Sequence, residues 1–265
     1  MNASPTLDRA APTYDALAPH YDAYTDFPIY RNWITGLEEL ARRHGVRGRR
    51  LLDAGCGTGK SFLPLLERGY EVTGADGSTG MLACAEAKVG DRVRLVHTDL
   101  VDLPDLGPFD LITCLNDVAN CIVDPHDLAR VLERFAANLA ADGVLVFDAS
   151  LISAYRTIFA TTHQRERPGS VFVWIGETDP ELPEGGIATA RHDMFIEDDD
   201  GRWQRLWCRH VQRHHPHEEI AAALDGAGLE IVALLGDDDG KRDGTAPDPA
   251  RHLKAIYVVR RRAEA

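Results

Sequence analysis

Three glycines at alternate positions, Gly55, Gly57 and Gly59, follow an apolar run that ends in Asp53. This pattern predicts a buried strand that stops, turns tightly and leads into a helix. Glycine permits backbone conformations closed to other residues and lets a ligand lie close to the chain. The free N–H groups at the start of the helix would point towards that ligand. The sequence therefore predicts a binding site at this turn.

A second acid lies where a nucleoside site would need one. Asp76 ends the predicted strand 71–76, about 20 residues beyond the glycines, as a ribose-binding acid does in nucleotide folds. A carboxylate can accept hydrogen bonds from both ribose hydroxyls. The alternative is a turn aspartate, because Gly77 and Ser78 also favour a turn.

The glycine spacing separates two kinds of cofactor. A dinucleotide-binding turn has the pattern G-x-G-x-x-G after the strand. Here the third glycine comes one position early, and Lys60 stands where that pattern has glycine. An NAD-type dehydrogenase is therefore the less favoured alternative.

The elements around these residues alternate between strand and helix. Apolar runs at 93–97, 108–115 and 143–148 predict further strands, and the last two have the continuous apolar character of buried parallel strands. Helices are predicted from Ser78 and from the Asp124-Pro125 pair, which supplies a cap and a proline at the first helical position. The order predicts an α/β fold with a doubly wound parallel sheet.

Taken together, the turn, Asp76, Asp99 and the strand F-D-L-I-T-C-L at 109–115 resemble the class I S-adenosylmethionine (SAM)-dependent methyltransferases. A Y-D-x-x-A-x-x-Y-D segment ahead of the turn resembles the lid of the small-molecule members. The run 30–33 resembles a segment of glycine N-methyltransferase. Within the class, the chain is most similar to small-molecule N-methyltransferases of the glycine and amino-sugar type.

This resemblance implies a Rossmann-like, seven-stranded, mostly parallel sheet, an antiparallel β insert after the fifth strand, and SAM as cofactor. It implies a lid at 1–45, a SAM-binding core at 46–150, the insert at 151–215 and a C-terminal part at 216–265. An acid at Asp99 would accept from the adenine amino group. The cofactor-binding residues that we expect are Tyr21, Trp33, Asp53, Gly55, Cys56, Gly57, Asp76, Gly77, Met81, Thr98, Asp99, Leu100 and Leu115.

The insert is predicted to contain strands at 170–175, 188–196 and 203–213. A tight turn at Asp200-Gly201 would join the last two. The pairing across this turn would place on one face Phe195 by Leu206, Asp193 by Cys208 and Arg191 by His210, and on the other Met194 by Trp207 and His192 by Arg209.

The candidate catalytic residues depend on whether the methyl acceptor is an amine or a hydroxyl, and the sequence does not decide between the two. An amine acceptor needs positioning in its neutral form, for which Tyr24, Asn116 or His210 are candidates. A hydroxyl acceptor needs a general base, most often histidine, for which His210 and His215 are candidates. The run 214–217 contains three histidines but is interpreted mainly as a helix start, and we expect no metal site. A SAM-fold scaffold or cyclase that transfers no methyl group is the remaining alternative.

Composition limits the partners. The formal net charge of −13 argues against nucleic acid, whose binding depends on Lys and Arg. No apolar run reaches the roughly 20 residues that span a bilayer. Residues 1–12 are expected to be disordered, with no signal peptide. The five scattered cysteines suit a reducing compartment, so we expect the protein to be cytoplasmic. We also expect a monomer or homodimer that acts on a small molecule.

Overall fold

A sheet of seven strands forms the centre of the molecule. The computed structural model describes residues 10–25, 30–238, 240–242 and 244–263. The strands of this sheet are β1 (Arg50–Ala54), β2 (Glu71–Asp76), β3 (Arg94–His97), β4 (Phe109–Cys114), β5 (Leu139–Ser150), β10 (Leu229–Asp237) and β11 (Lys254–Arg261). Their spatial order is β10-β11-β5-β4-β1-β2-β3. The strands β3, β2, β1, β4 and β5 are parallel, and β11 is antiparallel to both β5 and β10. The predicted fold class is confirmed.

Helices cover both faces of this sheet because its central strands are apolar on both sides. They are α2 (Tyr30–Arg43), α3 (Leu63–Glu67), α4 (Thr79–Val89), α5 (Val118–Cys121), α6 (Pro125–Asn138), α7 (Ile152–Thr157) and α8 (His217–Gly226). Leu51 packs with α2, α3 and α4, whereas its neighbour Leu52 packs with α6 and α8. Adjacent residues of β1 thus enter opposite layers, as the two-residue period of a strand requires.

Side-chain caps begin two of these helices where the sequence predicts them. The Ser78 hydroxyl accepts from the N–H of Met81 at 3.1 Å, which starts α4. The Asp124 carboxylate accepts from the N–H of His126 at 2.8 Å, which starts α6. Each cap satisfies a backbone donor that has no partner within the helix.

A second sheet follows β5 and is antiparallel throughout. Its strands in spatial order are β6 (Thr162–Arg167), β7 (Ser170–Gly176), β8 (Ile187–Glu197) and β9 (Trp203–Arg213). The sequence analysis predicted β7, β8 and β9 but missed β6. That strand is mostly exposed and polar, so it has no apolar alternation to reveal it.

The predicted register between β8 and β9 is wrong by one residue. Observed partners include Met194 with Leu206 and His192 with Cys208. The N–H of Asp198 donates to the carbonyl of Arg202 at 2.8 Å, so three residues, 199–201, form the turn instead of the predicted two. The Asp198 carboxylate stabilises this turn by accepting from the N–H groups of Asp200 and Arg202 at 3.0 and 2.8 Å. Gly201, at φ 75°, closes this loop in the left-handed region that glycine favours. The shift moves His192 onto the same face as Cys208.

The N-terminal segment forms a helix, α1 (Ala11–Tyr24), that packs on α4 and β9. The expectation of disorder over residues 1–12 is therefore wrong at Ala11 and Pro12, and residues 1–9 lie outside the described part of the chain. Leu17 is fully buried, and Tyr14, Tyr21 and Tyr24 pack around the same cluster. The helix α1 thus lies between α4 and the second sheet. Within the described ranges, no helix is long and apolar enough to cross a bilayer.

Candidate active site

A cavity of about 860 Å³ opens at the carboxyl ends of β1, β2, β3 and β4, with α1 along one side. Ligands of open α/β sheets bind at this edge. The volume lies within the roughly 300–1,000 Å³ range of small-molecule sites. Eleven of the thirteen predicted cofactor contacts line it: Tyr21, Gly55, Cys56, Gly57, Asp76, Gly77, Met81, Thr98, Asp99, Leu100 and Leu115.

The glycine turn forms the floor of this cavity. Gly55, Gly57 and Gly59 have φ values of 73°, 53° and 82°, all in the left-handed region. The N–H of Gly55 donates to the carbonyl of Ala75 at 2.8 Å, which ties the turn to β2. A Cβ on Gly55 would lie 2.6 Å from the side chain of Val118. The turn therefore needs glycine both for its conformation and for its space.

Asp76 connects the turn to the start of α4. One carboxylate oxygen accepts from the N–H of Gly57 and the other from the N–H of Ser78, each at 2.8 Å. Burial raises the pKa of Asp76, and these two backbone donors oppose that shift. Each oxygen has a further lone pair, so the carboxylate remains able to accept from ligand hydroxyls.

Asp99 lies on the same wall at the end of β3. Its side chain accepts from the N–H of Val101 at 3.1 Å and so caps the short 3₁₀ helix Leu100–Asp102. His97 also lines the cavity here, and its Nε2 lies 3.1 Å from the carbonyl oxygen of Gly77. Asp76 and Asp99 thus lie on one cavity, as the sequence predicted for the two acids.

Two residues predicted to contact the cofactor lie off the lining. Asp53 is buried beneath the floor, where its carboxylate accepts from the hydroxyls of Ser61 and, at 2.7 Å, Thr113. Burial raises the pKa of Asp53 to about 6. Trp33 is buried in the sheet–helix core and donates from Nε1 to Asp237 at 3.0 Å. Ser61, which lines the cavity, is the side chain through which Asp53 reaches it.

Helix α1 is fastened to the cavity rim by two aspartates. Asp22 accepts from the hydroxyl of Thr58 in the glycine turn at 2.6 Å and forms an ion pair with Lys88. Asp15 accepts from the hydroxyl of Ser78 at 2.6 Å and from the N–H of Gly80 at 2.8 Å. These bonds hold the tyrosines of α1 against the cavity.

The end of the cavity near β4 is lined by phenols and an amide. Tyr14, Tyr21 and Tyr30 reach it, and Asn116 donates from Nδ2 to the Tyr30 hydroxyl at 2.6 Å. Burial raises the pKa of each of these three tyrosines well above its ordinary value, so the phenols stay neutral. Asn116 and Asp117 both have positive φ, 65° and 62°, which turns the chain sharply after β4. The sequence analysis missed Tyr14 and Tyr30 as lining residues, although Tyr14 begins the Y-D-x-x-A-x-x-Y-D segment and Tyr30 begins the run 30–33.

Beside this end lies a partly buried charged cluster that the sequence analysis did not predict. The Lys254 ammonium lies 2.9 Å from both Asp148 and Asp117. The Asp117 carboxylate also accepts from the hydroxyl of Ser150 at 2.7 Å. The two carboxylates raise the pKa of Lys254 against the opposing effect of burial, so the lysine is charged. The sequence signals were the positions of Asp117, just after the predicted strand 108–115, and of Asp148, at the end of the predicted strand 143–148.

Three of the four candidate catalytic residues are away from the cavity lining. Tyr24 packs against His192, with ring centroids 4.2 Å apart. His215 is buried, its Nδ1 2.8 Å from the Glu219 carboxylate and its Nε2 2.8 Å from the carbonyl oxygen of Ile122. His210 lies on the inner face of the second sheet. Among these candidates Asn116 alone lines the cavity.

The comparisons with known proteins agree with this geometry. Residues 51–143 match a family model described as a methyltransferase domain. A putative methyltransferase of Geobacillus sp. (strain WCH70) is 26% identical over 215 residues, covering 78% of this chain and 85% of that protein. A glycine/sarcosine N-methyltransferase of Parasynechococcus marenigrum is 31% identical over 161 residues, 58% of this chain and 56% of that protein.

Solved structures share the fold across nearly the whole chain. A SAM-dependent methyltransferase from Clostridium acetobutylicum superposes with a TM-score of 0.79 at 23% identity, covering 94% of this chain and 99% of that one. A sugar N-methyltransferase from Streptoalloteichus sp. superposes with a TM-score of 0.69 at 24% identity, covering 99% and 98%. The family match and the shared fold agree: residues 51–143 form a methyltransferase domain, and the chain as a whole has the fold of SAM-dependent methyltransferases of known structure.

Proposed function

We propose that this protein transfers the methyl group of SAM to an amine nitrogen of a small molecule. The observation that carries the proposal is one continuous cavity that joins a nucleoside-type wall, at Asp76 and Asp99, to a neutral polar end, at Asn116 and the tyrosines. Relatives that match this chain over about half their length methylate glycine, sarcosine or an amino sugar, as their names state.

The cavity residues fit SAM along its length. Asp76 would accept from the ribose hydroxyls and Asp99 from the adenine amino group, while Met81 and Leu100 supply apolar surface for the adenine ring. The glycine turn would lie against the methionine part, with Ser61 and the buried Asp53 behind it. When bound, SAM supplies an electrophilic methyl group on a sulfonium centre.

The β4 end of the cavity favours an amine acceptor. A neutral amine attacks through its own lone pair and needs only to be aligned at about 3–3.5 Å from the methyl group. Because Asn116 donates its N–H to Tyr30, its carbonyl oxygen stays available to accept from an acceptor N–H. The phenols provide further neutral partners. An ammonium acceptor would have to lose its proton before reaction, because only the neutral amine has the lone pair that attacks the methyl group.

Nothing in the described cavity favours the O-methylation alternative. His97 is the one histidine among the described residues that line it, and it lies at the nucleoside wall. The bases considered for a hydroxyl acceptor, His210 and His215, are off the lining. Burial lowers the pKa of His210 to about 3.

We assign to each part of the chain the role that the resemblance implies. We propose that residues 1–45 act as a lid, that 46–150 hold SAM, and that 151–215 shape the acceptor pocket beside the C-terminal part, 216–265. The docking of α1 on the glycine turn and on β9 supports the first assignment. We further propose a monomer or homodimer in the cytoplasm with no nucleic-acid partner.

A matched substrate panel tests the proposal. Purified protein is first titrated calorimetrically with SAM and S-adenosylhomocysteine, and one site per chain is expected. Release of S-adenosylhomocysteine is then measured with paired acceptors that differ only in bearing an amine or a hydroxyl. Turnover of amines but not of their hydroxyl partners is the expected result. Binding of SAM with turnover of hydroxyls alone would contradict the choice of acceptor, and no SAM binding would contradict the function itself.

A variant links the assay to the proposed acceptor end. Asn116→Ala should lower kcat/KM for the amine by roughly 10- to 100-fold, the effect of about 1.4–2.8 kcal/mol of lost orientation, with SAM affinity changed less than threefold. Asn120→Ala is not a suitable control because Asn120 is buried and holds Ser150. Thr35→Ala, on the exposed side of α2, provides a control that leaves both constants unchanged.

A further inference from the structure

Three side chains with metal-binding atoms meet on the inner face of the second sheet, away from the proposed methyl-transfer cavity. They are His192 on β8 and Cys208 and His210 on β9, and all three are buried. One ligand atom from each lies within 4.8 Å of the other two. The Cys208 sulfur is 3.7 Å from Nε2 of His210.

The observed strand register creates this meeting. His192 pairs directly with Cys208 across β8 and β9, and His210 follows two residues along on the same face. In the register that the sequence predicted, His192 would face the other side of the sheet. The cluster therefore depends on the three-residue loop closed by Gly201.

His192 lacks a hydrogen-bond partner among the residues that the structure describes. Both of its ring nitrogens are buried and unpaired. The ring is enclosed by Tyr24, Phe172 and Trp174, with centroids at 4.2, 5.9 and 6.0 Å. An unpaired buried polar group costs about 1–3 kcal/mol, so such a position calls for a partner outside the described side chains.

The protonation states of the histidines suit a metal ion. Burial lowers the pKa of His192 to about 4 and of His210 to about 3, so both are neutral near pH 7 and offer a free lone pair. Burial raises the pKa of the Cys208 thiol to about 11. A bound cation reverses that last effect, because a coordinating thiol is deprotonated by the metal.

We propose that His192, Cys208 and His210 form a zinc site with two nitrogen ligands and one sulfur ligand. Tetrahedral Zn²⁺ with bonds of about 2.0–2.1 Å to nitrogen and about 2.3 Å to sulfur separates its ligand atoms by roughly 3.3–3.6 Å. The 3.7 Å between sulfur and Nε2 is close to that separation, and side-chain rotation must bring the third atom within it. Zinc accepts such a mixed set, whereas Mg²⁺ and Ca²⁺ prefer oxygen.

The place of the site suggests what the ion would do. Three protein ligands leave the fourth zinc position for a water molecule or another ligand. His210 also lines a small cavity of about 60 Å³ together with Tyr14 and Cys121, which line the main cavity as well. The ion would cross-link β8 and β9 beneath α1. It would thereby stabilise the face of the second sheet on which the proposed lid helix packs.

Metal loading of tag-free, full-length protein tests the site. The protein is stripped with a chelator, loaded with Zn²⁺ or Co²⁺ and freed of excess metal, and its metal content is measured by mass spectrometry. We expect one ion per chain, a rise in Tm with zinc, and a sulfur-to-cobalt charge-transfer band. Less than 0.2 equivalents of retained metal, with no shift in Tm, would overturn the proposal.

Variants assign the ligands. Cys208→Ser should abolish the charge-transfer band, and His192→Asn should weaken zinc binding at least tenfold, each with the zinc-dependent shift in Tm reduced. Cys84→Ser is the matched control, because the sulfur of Cys84 lies on α4, 3.6 Å from the carbonyl oxygen of Ala18, and not in the cluster. If a cluster variant fails to fold, His210→Asn supplies the same measurements. Stoichiometric metal retained equally by the cluster variants and the control would place the ion elsewhere and refute the assignment.

Discussion

Replacing Asp76 by alanine should weaken SAM binding while leaving the fold in place. In the structure this carboxylate accepts two backbone N–H groups at 2.8 Å and lines the cavity with its remaining lone pairs. Hydrogen bonds to a charged group contribute about 1.5–3 kcal/mol each, and water entering the space left by the side chain recovers part of that. We therefore expect a loss of about 1–3 kcal/mol, or roughly 5- to 150-fold in Kd.

The assay must separate this loss from a general loosening of the protein. Calorimetric titration with S-adenosylhomocysteine gives Kd, and a thermal melt without ligand gives Tm. Asp110→Ala is the matched control: Asp110 also accepts a backbone N–H, from Arg50 at 2.8 Å, but at the opposite end of the sheet. Both variants should lower Tm, and only Asp76→Ala should raise Kd. An unchanged Kd for Asp76→Ala, or an equal rise in both variants, would refute the ribose assignment.

Three further predictions address helix α1, the buried acid beneath the glycine turn and the charged cluster. Asp22→Ala removes the bond to Thr58, so amide hydrogen exchange in α1 should accelerate; unchanged exchange would show that α1 is held by packing alone. Burial raises the pKa of Asp53 to about 6 in the folded state from 3.8, so its contribution to stability is present below about pH 4 and is lost as the pH rises through 6. The change amounts to roughly 3 kcal/mol at about 1.36 kcal/mol per pKa unit. Urea unfolding between pH 4 and 7 should show this slope in the wild type and not in Asp53→Asn, and parallel curves would contradict it. Lys254→Met leaves the buried Asp148 carboxylate uncompensated and should cost about 3–5 kcal/mol in urea unfolding. The pair Lys254→Met with Asp148→Asn should recover part of that loss, and no recovery would contradict the charge argument.

The sequence predicted which acids line the cavity at the ends of β2 and β3, because the signals for them are local. Each acid follows a buried parallel strand, and parallel strands end at the same edge of the sheet. Asp76 and Asp99 therefore had to come close together if the strands were right. The caps at Ser78 and Asp124 are equally local, since a side chain and a backbone N–H two or three residues apart decide them.

The positions of Asp53 and Trp33 and the register of the second sheet could not be predicted. They depend on contacts between residues that are far apart in the sequence or on side-chain bonds that no local pattern reveals. Whether Asp53 reaches the cavity or stops beneath it depends on Ser61 and Thr113, which lie 8 and 60 residues away. Trp33 lies in the core, where its indole N–H donates to Asp237, a residue 204 positions further along the chain. The register of β8 and β9 depends on whether the turn between them has two or three residues. The side-chain bonds of Asp198 in the structure reveal the longer turn, and the sequence pattern alone does not.

The two successive left-handed residues after β4 limit how this protein can be altered. Among side chains other than glycine, asparagine and aspartate adopt that conformation most readily, whereas β-branched residues do so at a steep penalty. A library meant to broaden the range of accepted amines should therefore leave Asn116 and Asp117 unchanged. Diversity is better placed at Tyr14 and Cys121, which border the same space from helical backbone.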